Sequence, residues 1–206
     1  MSAPISRTHH PVSLRRAQSG VSLIVVLMLL VIVSILGVGA AQIASMGERS
    51  SRNDRDMQMA WQSAEAALMD AEMEISGPVA STRRANVFTG LANTNAYVTG
   101  CGTSGDSVGL CALNPTGKPA WLTVDFTATG GGAPTTYFGQ FTGRSFASGL
   151  VGAQPIKTPR YVIEPIQDPD NRDKSGSNTS YIFRITAMGF GPRADIQAVS
   201  QTIYRQ

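Results

Sequence analysis

Arg15 and Arg16 stand just ahead of an uncharged run over residues 21–46, and Gly20 marks the border between the two. Residues 21–41 alone supply 21 consecutive uncharged, mostly apolar positions. A helix needs about 20 such residues to cross the hydrocarbon core of a bilayer. A secretory signal has a shorter apolar stretch, about 7–15 residues, followed by small residues at a cleavage site. Ala40 and Ala41 imitate that site, but the run is long and the helical pattern continues past it. Residues 21–41 therefore read as a transmembrane segment. The positive-inside rule keeps Arg7, Arg15 and Arg16 in the cytoplasm, with Glu48 and Arg49 at the outer edge, so the rest is exported. Up to residue 46, an ordinary uncleaved single-pass anchor fits equally well.

Charge is unevenly placed. The net charge is +3, and residues 1–20 hold three arginines and no acid. The remaining chain is therefore neutral overall, which gives no reason to expect nucleic-acid binding. The two cysteines, Cys101 and Cys111, are close together in a Gly/Ser-rich stretch. In an oxidising compartment they read as one small-loop disulfide. The alternative is free or metal-binding thiols.

Beyond the apolar run the helical pattern holds to about Ile75, where Ser76-Gly77-Pro78 is a stop. A helix from 21 to about 75 would be roughly 80 Å long at 1.5 Å per residue. Gly37 and Gly39 lower helix propensity locally by about 1 kcal/mol each relative to Ala, so a bend or melt is allowed there. After a charge-dense stretch at 48–56, Met57, Trp61, Ala64, Leu68, Ala71 and Ile75 recur at alternating steps of four and three, one face of an amphipathic helix. That face is expected to cover a sheet, with Gln58, Gln62, Glu65, Asp70 and Glu72 on other faces. Arg83-Arg84 reads as a solvated pair. Candidate strands are 121–126, 136–141, 160–164, 181–188 and 196–204; the last two alternate as half-buried antiparallel strands do. The fold class expected is α+β: a long N-terminal helix, membrane-spanning in its first half and amphipathic in its second, packed on a C-terminal antiparallel β-sheet. The organisation is a leader at 1–20, a helix at 21–76 and a β-rich periplasmic head at 77–206.

Chemistry is sparse. His9 and His10 both lie in the leader. The remaining chain thus lacks the imidazole that Ser-His, Cys-His and His-metal sites require. Gly130-Gly131-Gly132 is followed by Ala-Pro and is not a phosphate loop. The acidic stretch 168–176 misses EF-hand spacing and contains Arg172 and Lys174, so it reads as a solvated hairpin loop. No catalytic residue, cofactor or metal is expected.

The junction Arg15-Arg16-Ala-Gln-Ser-Gly-Val-Ser-Leu-Ile-Val25 resembles that of type IV pilins. Ala64-Glu-Ala-Ala-Leu68, Gly109-Leu-Cys111 with Trp121, Tyr181-Ile-Phe-Arg-Ile-Thr-Ala187 and Gln201-Thr-Ile-Tyr-Arg205 narrow the resemblance to PilX-type minor pilins. Residues 79–100 and 127–159 match least. The resemblance implies leader cleavage between Gly20 and Val21 by a prepilin peptidase and N-methylation of Val21. It implies a structural and assembly role at the pilus tip, supporting adhesion and twitching motility. The partners implied are other minor pilins, the major pilin and a large tip adhesin. Most pilins carry Glu where this chain has Val25, and the family account pairs that Glu with the N-terminal amine of a neighbouring subunit. PilX-type pilins and the tip pseudopilins of type II secretion systems resemble each other in lacking it. Such a pseudopilin is the second reading; its usual large extra domain has no counterpart here.

Overall fold

A computed structural model describes residues 21–77, 84, 86–88, 94–169 and 181–205. The chain forms two compact units, one ending at Arg49 and the other beginning at Ser50. One helix, α1 (Val21–Ser76), runs through both. In the first unit its apolar side chains are exposed, and Gly37 and Gly39 are helical. The helix ends as the Gly77 N–H donates to the Met73 carbonyl, at 2.9 Å.

The second unit contains residues 50–76 of α1 and a four-stranded antiparallel meander. Its strands are β1 (Thr136–Tyr137), β2 (Arg160–Gln167), β3 (Tyr181–Phe190) and β4 (Gln197–Tyr204), adjacent in chain order. Tyr161 pairs with Ala187, Ile163 with Ile185 and Pro165 with Phe183. Tyr161, Ile163, Phe183, Ile185 and Ala187 pack with Ala67, Leu68, Ala71 and Ile75 of α1 in the main core, where Phe88 meets Phe183 edge-on at 5.4 Å.

The helix face differs from the expected one at its start. Ala64, Leu68, Ala71 and Ile75 are buried, but Met57 and Trp61 are 37% and 45% exposed. Ala60, Ser63 and Ala67 are buried, and so is Asp70, which the sequence places on another face. The reason is the close approach of helix and sheet. A Cβ on Gly189 would lie 2.1 Å from the Ala60 carbonyl oxygen and 2.2 Å from the Ala64 nitrogen. Such a gap admits alanine and glycine, and indole or thioether side chains turn to the flank.

The strands also depart from expectation. Residues 121–126 are not a strand: a short 3₁₀ helix covers Ala120–Leu122, and a turn follows. The edge of β2 that a strand would need there is taken, because Ile163 N–H donates to Gly109 O at 2.9 Å and Cys111 N–H to Ile163 O at 3.0 Å. The strand expected at 136–141 stops at Tyr137, and Gly139 turns the chain with φ +83°. β2 is buried on both faces over most of its length: Val162 packs with Cys101, Cys111, Ala120 and Phe126 on the side away from α1. Only β4 keeps the expected alternation through most of its length.

Gly189→Ala is expected to lower the thermal midpoint of the full-length protein, by an overpacking cost of about 1–3 kcal/mol. Thermal unfolding followed by circular dichroism in lipid nanodiscs checks it. An unchanged midpoint would mean that the helix–sheet seam relaxes freely.

Candidate functional site

Two regions carry the features that the sequence singles out: the apolar half of α1, and the contacts that fix its second half into the head. Gly20 lies outside the described residues, and Val21 is the first residue of α1. Val25 is half exposed on the helix, as are its apolar neighbours. By length and composition α1 can cross a membrane. A helix satisfies its own backbone polar groups, which lipid requires. The hydroxyl of Ser34 donates to the Leu30 carbonyl at 2.7 Å, so this polar side chain is also satisfied within the helix. Nothing lies within 4 Å of the positions that a Cβ on Gly37 or Gly39 would take. Together with Ser22, Ser34 and Ala40 they offer a thin surface that another apolar helix can approach.

In the head, two acids on α1 are completely buried, four residues apart and hence on one side of the helix. Asp70 accepts from the Gly139 N–H at 2.7 Å and the Thr142 hydroxyl at 2.6 Å, and Arg144 lies 3.5 Å away. It thereby pins the turn at 139–144 to the helix. Glu74 pairs with Arg84 and accepts the Tyr161 hydroxyl. Arg84 is buried, not solvated as the Arg83-Arg84 dipeptide suggests; Arg83 lies outside the described residues. The Arg84 Nη1 donates to the carbonyls of Asp106 and Val108 at 2.7 and 2.8 Å, and the Arg84 Cζ lies 3.7 Å from the centre of the Phe141 ring. One guanidinium therefore gathers the end of α1, the disulfide loop and the segment after β1.

Cys101 and Cys111 form the disulfide, and both are buried against Ala120, Phe126 and Val162. Gly100 and Cys101 both take positive φ, which reverses the chain at the start of this loop. On the same side of the sheet, Glu164 accepts from the Ala120 N–H at 3.2 Å and from Arg184 at 2.9 Å. At the chain's end, the Tyr204 hydroxyl meets the Ser76 hydroxyl, and Arg205 bonds Asp168 at 3.0 Å. Residues 170–176 of the expected acidic loop lie outside the described residues. Among the described residues no cluster of three metal-ligating side chains forms. These arrangements hold a head together, and none of them aligns a nucleophile with a base.

Sequence reasoning missed Asp70, Glu74, Arg84 and Glu164 as internal links. The available signal was the spacing of Asp70 and Glu74, which puts both beside Ala67 and Ala71. Burial pushes the Glu74 carboxyl above its ordinary 4.5, and Arg84 and Tyr161 pull it back only in part. Burial, with the neighbouring Glu74, also pushes the Tyr161 hydroxyl well above its ordinary range. The folded head thus holds the Glu74 proton more tightly than the unfolded chain does. That contribution to stability is complete below pH 4.5 and is lost as pH rises through the folded value.

Arg84→Met is expected to destabilise the head by about 3–5 kcal/mol, because it leaves a buried carboxyl without its cation. The loss should be larger at mildly alkaline than at mildly acidic pH. Glu74→Leu combined with Arg84→Met should recover much of it. Denaturant unfolding across pH tests both statements. A pH-independent loss would remove Glu74 from the account.

Two family models match the chain, PilX N-terminal over residues 19–68 and the C-terminal model of the type IV pilus assembly protein PilX over residues 48–206. No curated protein and no solved structure matches it. The two models meet within α1 and together span all but the first residues. The matched regions contain the apolar helix, the disulfide loop and the closing strands described above. The family is structural, built for assembly and not for catalysis. The chain belongs to the PilX family of type IV pilus assembly proteins, as a minor pilin.

Proposed function

We propose that this minor pilin enters the filament first and primes pilus assembly at the tip. The observation that carries the reading is Val25, at the position where most pilins resemble one another in having Glu. An acidic side chain inside the apolar span is costly, up to about 2.5–3.5 kcal/mol at its centre on insertion scales and less toward the end where residue 25 lies, so it is retained for a partner. A subunit with no predecessor has no amine to neutralise, and valine removes the cost and the interaction together. In this reading the prepilin peptidase cuts after Gly20 and methylates Val21. The head is periplasmic while the helix waits in the inner membrane, and it reaches the cell surface on the tip. Other minor pilins, the major pilin and a large tip adhesin are its neighbours, and adhesion and twitching motility depend on it through them.

The physical step is a change of solvent for residues 21–41. Lipid covers them before assembly, and helices of neighbouring subunits cover them afterwards. Lipid tails are as apolar as the side chains, so close packing and not hydrophobicity has to favour the exchange.

Two measurements test the reading. Peptide mass spectrometry on sheared filaments should find low amounts of a chain beginning at methylated Val21. A chain beginning at Met1 or Ser2 and confined to the inner membrane would make it an uncleaved anchor instead. Val25→Glu should reduce the number of pili and spread the protein along the shaft, read by immunogold labelling. Unchanged number and position would leave the tip assignment without a physical basis.

A further inference from the structure

The head contains a cavity of about 400 Å³. It lies on the side of the sheet away from α1, near the start of β2, and its size falls in the range of small-molecule sites, about 300–1,000 Å³. Phe126, Tyr137 and Phe190 supply aromatic walls, and Tyr137 is 45% exposed. Lys157 and Arg160 supply two positive charges, and no carboxylate is among the described lining residues.

Arg160 is held in place by hydrogen bonds, and Lys157 lies beside an aromatic ring. Arg160 is 8% exposed; its Nε donates to the Thr135 hydroxyl at 2.6 Å and its Nη2 to the Thr135 carbonyl at 2.9 Å. No partner for its Nη1 is present among the described residues. The Lys157 ammonium lies 5.7 Å from the centre of the Phe190 ring, and the Arg160 Cζ lies 5.9 Å from that of Tyr137. A guanidinium fixed on two of its three nitrogens is a pre-oriented donor for a carboxylate. Ser148 and Thr158, whose hydroxyls are 3.1 Å apart, add groups that both donate and accept. Asp125 feels the charge of Lys157, but its carboxylate accepts from the Thr127 N–H and hydroxyl at 2.8 and 2.7 Å.

Paired cations, hydroxyls and an exposed aromatic face match the three parts of one ligand class. We propose that this cavity binds a sugar acid, its carboxylate on Arg160 and Lys157, its C–H face on Tyr137 and its hydroxyls on the Ser148–Thr158 pair. The proposal goes beyond filament assembly: it gives the head a glycan-binding activity of its own. A free carboxylate would use the cations alone, and a neutral sugar the aromatic and hydroxyl groups alone. The binding preference therefore separates the contributions.

The test uses the full-length protein in lipid nanodiscs, with methyl β-glucuronide, methyl β-glucoside and acetate as probes, read by saturation-transfer NMR and calorimetry. The glucuronide should bind at least about tenfold more tightly than either of the others, the factor one charge-assisted hydrogen bond gives. Lys157→Gln and Tyr137→Ala should each weaken it by about tenfold while the thermal midpoint stays put. Arg193→Gln, an exposed change at the Arg193–Asp195 pair outside the cavity lining, should leave binding unchanged. Equal affinity for the three probes, no binding at millimolar concentration, or glucuronide binding that survives both cavity variants would overturn the proposal. These outcomes are read on isolated protein, so they are independent of where in the filament the subunit sits.

Discussion

Lipid offers no partner for a backbone N–H or C=O, so a segment that fits a membrane anchor, as residues 21–41 do, has to bond within itself, and an α-helix is the arrangement by which a single stretch of chain does so. The same hydrogen-bonding pattern then continues into the head without interruption, to Ser76. What changes along α1 is therefore its side chains. Valine, leucine and isoleucine dominate in the half that is long and apolar enough to cross a membrane. Charges crowd the stretch at 48–56, and alanines follow where the backbone comes against a sheet. The alanines matter as much as the large apolar residues do. Ala60 and Ala64 let Gly189 approach within the space of a missing Cβ, which brings the start of the amphipathic half against the β3–β4 hairpin.

A close seam leaves little apolar area from alanines, and the head supplements it with buried polar links. Asp70 and Glu74 leave the helix on the same side and reach the turn at 139–144 and Tyr161, both distant in sequence, as well as Arg84 just past the helix. A buried ion pair is poor in net stability because desolvating both charges is costly. It is strong in selectivity, since any packing that separates the partners strands a charge in the core. Here Arg84 can satisfy Glu74, Asp106, Val108 and Phe141 together in only one arrangement of three chain segments. The disulfide at Cys101–Cys111 works on one of those segments from the other side, shortening the loop that Arg84 has to meet.

β-Structure is thin in this head: β1 has two residues, and much of 94–150 is turns and bridges. That irregular region nevertheless covers one face of β2. It carries the disulfide, the Glu164 cap on Ala120 and part of the wall of the cavity around Tyr137, Lys157 and Arg160. Groups that could recognise something outside the protein are thus placed by a scaffold on the side of the sheet away from α1, and the helix is left to its two environments.

The sequence by itself determined α1, its membrane-length half and the closing strands β3 and β4, because each of these is a local periodic pattern. It favoured a pairing of Cys101 and Cys111 through their closeness in an otherwise cysteine-free chain, and the structure forms that bond. It failed at Met57 and Trp61, which carry the right period but are too large for the seam, and at 121–126, whose composition suits a strand but whose potential neighbour was already paired. It failed at Arg84 and Asp70, whose charge suggests solvent. Each of these outcomes depends on what another part of the chain brings to the same place: the missing side chain of Gly189, the backbone of Gly109–Cys111, the carboxyl of Glu74. Local periodicity records which face a residue is on, whereas only the tertiary structure decides how much room that face has and which distant group stands opposite.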